Sequence, residues 1–199
     1  MQASPLQRKF YLRDPVVVAS ELLGKRLWRE TSAGLCGGRI VEAEAYLSSR
    51  DPACHASRGM TRRNAAMFGP PGHAYVYMIH HRWCFNAVTE PEGVPSAILI
   101  RAIEPLEGIE LMQQRRRTDI IRDLARGPAR LCEALAIDRT HNGWDLTLGR
   151  ELWIAEDPDS SSAASRIVRS ARIGVTSAHR RLLRFYFADN RFVSGRVVR

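Results

Sequence analysis

The sequence contains almost no lysine. Only Lys9 and Lys25 are present among its 30 basic residues, so the other 28 are arginines. An enzyme that forms a Schiff base needs an amine in its site, and neither lysine lies in a segment with other candidate site residues. The composition therefore disfavours covalent imine chemistry.

Cysteine is also scarce, and the four residues are far apart: Cys36, Cys54, Cys84 and Cys132. Disulfide-stabilised domains carry cysteines at much higher density, and structural zinc sites use closely paired ones. The spacing therefore excludes a disulfide framework and a zinc knuckle, and we expect reduced thiols.

Long apolar runs are absent as well. No stretch approaches the ~18 apolar residues of a membrane span, and residues 1–12 are too polar for a signal peptide. The 199 residues are 45% hydrophobic and 26% charged, which is typical of a soluble globular protein. We expect one domain over residues 1–199, with a flexible segment at 1–9, in the cytoplasm.

Positive charge, in contrast, is abundant. The formal net charge is +9 and the pI is about 10.1. A basic surface attracts polyanions, and the planar arginine fork suits phosphate oxygens. Charge alone does not distinguish between DNA, RNA and an acidic partner.

The pattern of apolar residues predicts a mixed α+β domain. Asp14 and Pro15 indicate a helix start, and Gly24 a helix end. Further helices are predicted over 106–117 and 127–136, strands over 35–47, 74–79, 83–89, 96–103, 172–175 and 182–188, and a loop over 157–165. Short connections favour a curved, largely antiparallel sheet flanked by helices, in a single compact domain.

Two carboxylates and several tyrosines are placed to share strand faces. Glu42 and Glu44 are two residues apart on a strand, so both point to one side, where one could act as a general base. Tyr46 continues that face, and Tyr75 with Tyr77 forms a similar pair on another strand. These residues could form a slot for a flat ring; the alternatives are a solvated strand face and ordinary aromatic packing.

Histidines occur next to arginines in two polar clusters. The first contains His55, Arg58, Arg62 and Arg63, and the second is His80-His81-Arg82. A metal site could combine the side chains of Cys54, His55, His80, His81 and Cys84. Adjacent residues rarely point at the same ion, so we predict no metal.

Arg101 stands inside the apolar strand SAILIRAI. A buried arginine must find an anion or several acceptors. Arg101 can bind an anion in a functional site, or it can form a structural ion pair with Glu104 or Glu107.

Several long segments closely resemble the alkyladenine (3-methyladenine, methylpurine) DNA glycosylase family. They are GRIVEAEAYLSSRDPACHASRGMTRRNAAMFGPPGHAYVYMI, WCFN and AILIRAIEPLEG, in order over 38–108, with weaker similarity in GPARLCEALAI, RIGV and LRFYFADN. The resemblance implies a monofunctional glycosylase that flips out alkylated or deaminated purines and hydrolyses their N-glycosidic bond in base excision repair. The class includes 3-methyladenine, 7-methylguanine, hypoxanthine and ethenoadenine.

The resemblance also implies the partners and the location. The substrate is double-stranded DNA with damaged purines, with no cofactor, no metal and no membrane. We expect a monomer in the bacterial cytoplasm, associated with the nucleoid through DNA.

The resemblance assigns catalytic roles to four positions. Glu44 is the general base that activates water, and Glu42 is its supporting carboxylate. Arg101 helps to hold the water and a backbone phosphate. The main-chain carbonyl of Ile173 is a further water ligand.

Four other positions match residues that contact the flipped base. Tyr46 and Tyr77 sandwich it, and His55 lies between them and contacts the base or sugar. Asn86 crowds the amino group of guanine.

The hairpin turn departs from the family pattern. Relatives carry Tyr-Gly-Met or similar there, with the tyrosine wedged into the DNA, whereas this chain has the shorter His80-His81-Arg82. We expect His80 to be the wedge.

Arginines around Arg58, Arg62 and Arg63, and in the run 115–117, are candidates for phosphate contacts. For the run 115–117, a solvated helix face is the alternative.

Two functions from other classes remain as alternatives. One is a non-catalytic module that binds damaged nucleic acid on the same scaffold, although a pure binder needs no general base. The other is a formyltransferase-like or small-molecule hydrolase domain, which leaves the basic surface unexplained.

Overall fold

A computed structural model describes residues 4–158 and 166–195. The strands are β1 (Arg26–Thr31), β2 (Gly34–Leu47), β3 (Ala74–Ile79), β4 (Arg82–Thr89), β5 (Ser96–Glu107), β6 (Leu152–Ala155), β7 (Ile167–Ser170) and β8 (Arg184–Phe187). The α-helices are α1 (Arg8–Tyr11), α2 (Pro15–Glu21), α3 (Ile109–Arg116) and α4 (Pro128–Ala134). Most of the loop predicted over 157–165 lies outside the described residues.

The long strand β2 organises the sheet. All described strand pairs are antiparallel, and the main order is β3-β4-β5-β2-β1-β6. One edge of β2 pairs with β5, while the other pairs first with β1 and then, at residues 42–44, with β8. The pairing with β5 shifts register between Ile40 and Ala43. Such irregularities change the direction of nearby side chains, and this one lies at Glu42.

The two faces of this sheet have different coverings. Helices α2, α3 and α4 pack on one face, where residues such as Ala43, Phe85 and Ile100 form the main hydrophobic core. A smaller apolar cluster that includes Met67 and Tyr75 covers part of the opposite face. The predicted α+β fold is therefore confirmed.

Local sequence signals explain the boundaries of several elements. The carboxylate of Asp14 accepts a hydrogen bond from the amide of Val16 at 2.8 Å, which caps α2, and Pro128 begins α4. Strands β3 and β4 are joined by His80 and His81, with φ of 46° and 59°. Two left-handed residues are what a tight hairpin of this twist requires.

Two sequence predictions differ from the structure, and two strands have no counterpart among the predictions. Residues 172–175 were expected to form a strand, but the strand is β7, which ends at Ser170. The predicted helix over 106–117 begins only at Ile109, because β5 continues to Glu107. Strands β1 and β6 were not predicted individually.

The start of the chain makes contacts with the domain. Within the segment expected to be flexible, Leu6 is buried in the main core and the amide of Leu6 donates to the carbonyl of Ile154 at 2.8 Å. Arg8 forms an ion pair with Asp145 at 2.6 Å. Leu6 and Arg8 therefore contact the rest of the domain, and residues 1–3 lie outside the described part.

No helix in the described residues is long and apolar enough to cross a lipid bilayer.

Candidate active site

A cavity of about 430 Å³ lies on the sheet face opposite the helices. This volume falls within the roughly 300–1,000 Å³ typical of small-molecule sites. Alternating residues of four strands line it: Tyr46 of β2, Tyr75 and Tyr77 of β3, Cys84 and Asn86 of β4, and Ala97, Leu99 and Arg101 of β5. Loop residues 52–55 and 173–177 form a further part of the wall, and Met67, Ile79 and Pro128 complete it.

Glu44 lies directly behind this wall and is 0% exposed. Its carboxylate accepts hydrogen bonds from the amide of Ile173 at 2.8 Å and from the hydroxyl of Tyr46 at 3.0 Å. Burial raises the pKa of Glu44 above its usual value, although Arg101 and the Ile173 amide oppose the shift. Glu44 is therefore a buried carboxylate with increased proton affinity, which suits a general base.

Glu42 is also 0% exposed, and it anchors a buried network. One of its oxygens accepts from Arg101 Nε at 2.8 Å and from Arg184 Nε at 2.7 Å. The other accepts from the amide of Ser194 at 2.7 Å. The two carboxylates thus occupy one buried face, and the alternative of a solvated strand face is wrong for both.

Arg101 joins the two carboxylates. Its guanidinium bonds to Glu42 and lies 3.3 Å from Glu44. Burial alone would lower the pKa of Arg101, but the charges of Glu44 and Glu42 raise it above the usual value. The expected alternative partner Glu104 pairs instead with Arg39 at 3.4 Å. Arg101 therefore stays cationic at the edge of the cavity.

Aromatic side chains form much of the cavity surface. Tyr75 and Tyr77 stack with ring centroids 5.3 Å apart, and the ring of His55 lies edge-on, 4.4 Å from that of Tyr77. Tyr46 packs in the same apolar cluster. Together these rings provide flat apolar surfaces for a planar ligand.

The ring of His55 is fixed by a partner that the sequence did not suggest. Its Nδ1 lies 2.9 Å from the hydroxyl of Tyr75. Partial burial, together with the positive charge of Arg63, lowers the pKa of His55 below its usual value. The imidazole is therefore neutral at pH 7.

Asn86 is held at the floor of the cavity. It is buried, and its amide nitrogen donates to the carbonyl of Tyr75 at 2.9 Å. Because one amide hydrogen is used in this way, the orientation of the side chain towards the cavity is fixed.

A buried ion pair that sequence reasoning missed supports Tyr46. Arg172 Nη2 donates to Asp51 at 2.7 Å, and its other terminal nitrogen donates to the carbonyl of Ala45. The guanidinium carbon lies 4.5 Å from the centre of the Tyr46 ring. The predicted strand at 172–175 is instead the segment that carries this support and the Ile173 amide.

Ser194 completes the carboxylate network from the far end of the chain. Its hydroxyl accepts from Arg101 at 3.2 Å, and its carbonyl accepts from Arg184 at 2.7 Å. Only the fold brings residues 42, 101 and 194 together, so no local sequence signal indicated this role.

The remaining predicted residues lie outside the cavity. Arg58, Arg62 and Arg63 are exposed on the loop beside it, and His80 is exposed at the hairpin turn. Arg62, Arg63 and His80 line a second groove, on the other side of the hairpin.

The arginine run at 115–117 is largely used within the protein. Arg115 donates to the carbonyl of Ala134 at 3.0 Å, and Arg116 pairs with Glu133 and donates to the carbonyl of Leu124. The guanidinium groups of these two residues therefore have partners within the protein, and their contact with phosphates stays a prediction.

Within the described part of the chain, no three or more His, Cys, Asp and Glu side chains are grouped as metal ligands. The candidate metal ligands lie at two different places. Cys54, His55 and Cys84 line the cavity, whereas His80 and His81 line the second groove.

Comparison with known proteins adds to this geometry. A sequence profile of the family described as methylpurine-DNA glycosylase matches residues 9–191. A protein of Carboxydothermus hydrogenoformans is 47% identical over 95% of this chain and 98% of its own length, and one of Methanocella arvoryzae is 47% identical over 96% of each. Both are named as 3-methyladenine DNA glycosylases. The chain therefore belongs to the methylpurine-DNA glycosylase family.

Proposed function

We propose that this protein excises alkylated or deaminated purines from DNA by hydrolysis of the N-glycosidic bond, in base excision repair. The observation that carries the proposal is the buried Glu44, with a raised pKa, directly behind an aromatic cavity. The substrate class comprises 3-methyladenine, 7-methylguanine, hypoxanthine and ethenoadenine. The partner is damaged double-stranded DNA, bound by a monomer in the bacterial cytoplasm.

In this proposal Glu44 activates the attacking water. A carboxylate offers about four acceptor positions, and the Ile173 amide and the Tyr46 hydroxyl occupy two. Acceptor capacity remains for a water at the cavity edge, where the cationic Arg101 also lies. Attack on the anomeric carbon breaks the bond to the purine nitrogen, and the proton from water passes to Glu44.

The cavity needs little further chemistry for a cationic base. A purine alkylated at N3 or N7 is already positively charged and is a good leaving group. Tyr46 and Tyr77 hold the base by stacking, worth roughly 1–3 kcal/mol per base, and the neutral His55 lies beside it. Asn86 crowds the amino group of guanine, so normal guanine is disfavoured.

Outside the cavity, the exposed Arg58, Arg62 and Arg63 contact phosphates, and His80 fills the gap left by the flipped nucleotide. The arginine loop lies beside the cavity, and His80 lies at the tip of the β3–β4 hairpin. Both are therefore at positions that approach the duplex when a nucleotide enters the cavity.

The test is a panel of duplexes that carry one lesion each, followed by alkali to cleave abasic sites. We expect strand breaks at alkylated purines and hypoxanthine and none in normal DNA. Borohydride trapping should give no covalent protein–DNA adduct, because no lysine is available in the site. Specific binding without any strand breaks would instead identify a damage-binding module.

A further inference from the structure

The groove on the second side of the β3–β4 hairpin is wide and basic. It has a volume of about 790 Å³, and its wall includes Arg62, Arg63, His80, His81, Trp83 and Arg139. We name it the hairpin groove.

The hairpin separates this groove from the cavity. Side chains alternate along a strand, so Tyr75 and Ile79 border the cavity, whereas Met78 and His80 face the groove, and Tyr77 borders both. The tip carries two exposed apolar side chains, since Ile79 is 45% exposed and Met78 is 37% exposed. A duplex opened at this tip would have one strand on each side.

The charge of the groove suits a phosphate backbone. Among the described residues that line it, none is acidic. Arg139 lies in the single-turn helix Arg139–His141 and forms no ion pair or side-chain hydrogen bond with the residues that the structure describes. The half-buried Trp83 adds an aromatic surface. A groove with a free cation and a partly exposed ring is typical of surfaces that bind nucleic-acid strands.

We propose that the hairpin groove binds the undamaged strand of the duplex, opposite the nucleotide that enters the cavity, with Arg139 as a phosphate contact. This inference rests on the proposed function, and it goes further because it assigns the second strand its own binding site. It makes the groove a determinant of duplex preference, since a single strand that enters the cavity leaves the groove empty.

The test compares Arg139→Glu and Arg139→Ala with wild type on the same hypoxanthine lesion in duplex and in single-stranded oligonucleotides. Arg122→Glu and Arg122→Ala serve as the charge-matched controls, because Arg122 is exposed and lines neither the cavity nor the groove. We expect Arg139→Glu to weaken duplex binding at least tenfold and to leave single-strand binding and excision within twofold. The salt slope of duplex binding should fall by about one for Arg139→Ala.

Equal losses on duplex and single strand, or no loss on either, would overturn the inference. The same would follow if the Arg122 variants reproduced the duplex effects. Binding is measured by fluorescence anisotropy, separately from excision. Absence of any excision by the wild type would therefore count against the proposed function, while the strand comparison would still test the groove.

Discussion

At the scale of the residue, the decisive feature is that two carboxylates share one buried arginine. Arg101 contacts both Glu42 and Glu44, and Arg184 adds a second cation at Glu42. Glu42 therefore has two cationic partners, whereas Glu44 depends on one cation and two neutral donors. Burial raises the pKa of Glu44 because this compensation is incomplete.

We expect Glu44→Gln to bind damaged DNA normally and to lose at least the ~10²–10⁴-fold that general acid–base help supplies. In the wild type, the excision rate should rise with pH through the raised pKa of Glu44, since only the carboxylate can take the proton. Single-turnover kinetics over a range of pH measure the loss of rate and the pH dependence. Glu92→Gln is the control, because Glu92 is exposed. A Glu44→Gln rate within threefold of wild type would contradict the assignment.

The same substitution should stabilise the fold at neutral pH. Because the folded-state pKa of Glu44 is raised, folding favours its protonated form, and the carboxylate costs stability once pH exceeds the unfolded value of about 4.3. Glu44→Gln should therefore be more stable than wild type by ~0.5–2 kcal/mol at pH 7, the usual size of a single stabilising substitution. Urea unfolding measures this, and the gain should vanish as pH falls below about 4. Lower stability at pH 7 would contradict the direction of the shift.

At the scale of the element, the β3–β4 hairpin carries the surface that is proposed to contact DNA. Its turn residues His80 and His81 have left-handed backbones, so they close the turn as well as offering their side chains. Ile79 is the exposed residue on the cavity side, whereas His80 lies on the groove side. The wedge proposed at His80 therefore has a neighbour that competes for the same role.

We expect His80→Tyr to match or exceed wild-type duplex excision, because a phenol ring stacks over a larger area than imidazole, and His80→Ala to reduce it several-fold. Unstacking a step costs a few kcal/mol, so loss of the wedge should matter least for weakly paired lesions. Single-turnover excision from matched and mismatched duplexes measures this. If Ile79→Ala loses activity while both His80 variants behave like wild type, the aliphatic side chain is the wedge.

The elements differ in how far the sequence could predict them. Strands β3 and β4 were predictable because alternating apolar residues flank a short polar turn, and α2 because Asp14 and Pro15 mark its start. The segment at 172–175 was not, since its contacts are made by the Arg172 side chain and the Ile173 amide with β2 and the loop after it.

Site residues show the same division. The shared face of Glu42 and Glu44 follows from strand periodicity alone. Their burial does not, because it depends on β8 and on Ser194, about 150 residues away in the chain. Periodicity assigns a side chain to a face, but only the non-local packing decides whether that face is solvated.

At the scale of the whole molecule, the count of 30 basic residues overstates the number of cations available to DNA. Several arginines are committed to internal partners, among them Arg101, Arg115, Arg116, Arg172 and Arg184. The exposed cations beside the cavity and in the hairpin groove are among those that remain to neutralise phosphates.

We expect about 4–6 phosphates to be neutralised on binding, which predicts a slope of log K against log salt near −4 to −5. Titration of a labelled lesion duplex between 50 and 200 mM salt, roughly the range in which such effects are large, measures it. Arg62→Ala and Arg63→Ala should each make the slope less steep by about one, with Arg122→Ala as the exposed control. A response independent of salt would exclude a phosphate backbone as the main ligand.

The cavity that is proposed to receive alkylated purines is itself lined by two thiols, Cys54 and Cys84. Burial raises the pKa of both above the usual value, so at neutral pH they remain protonated. Alkylating agents react with the thiolate and hardly with the neutral thiol. The packing that forms the cavity therefore also keeps its two thiols unreactive. In a cell exposed to alkylating agents, such an enzyme would keep its own site unmodified while those agents alkylate the purines of DNA.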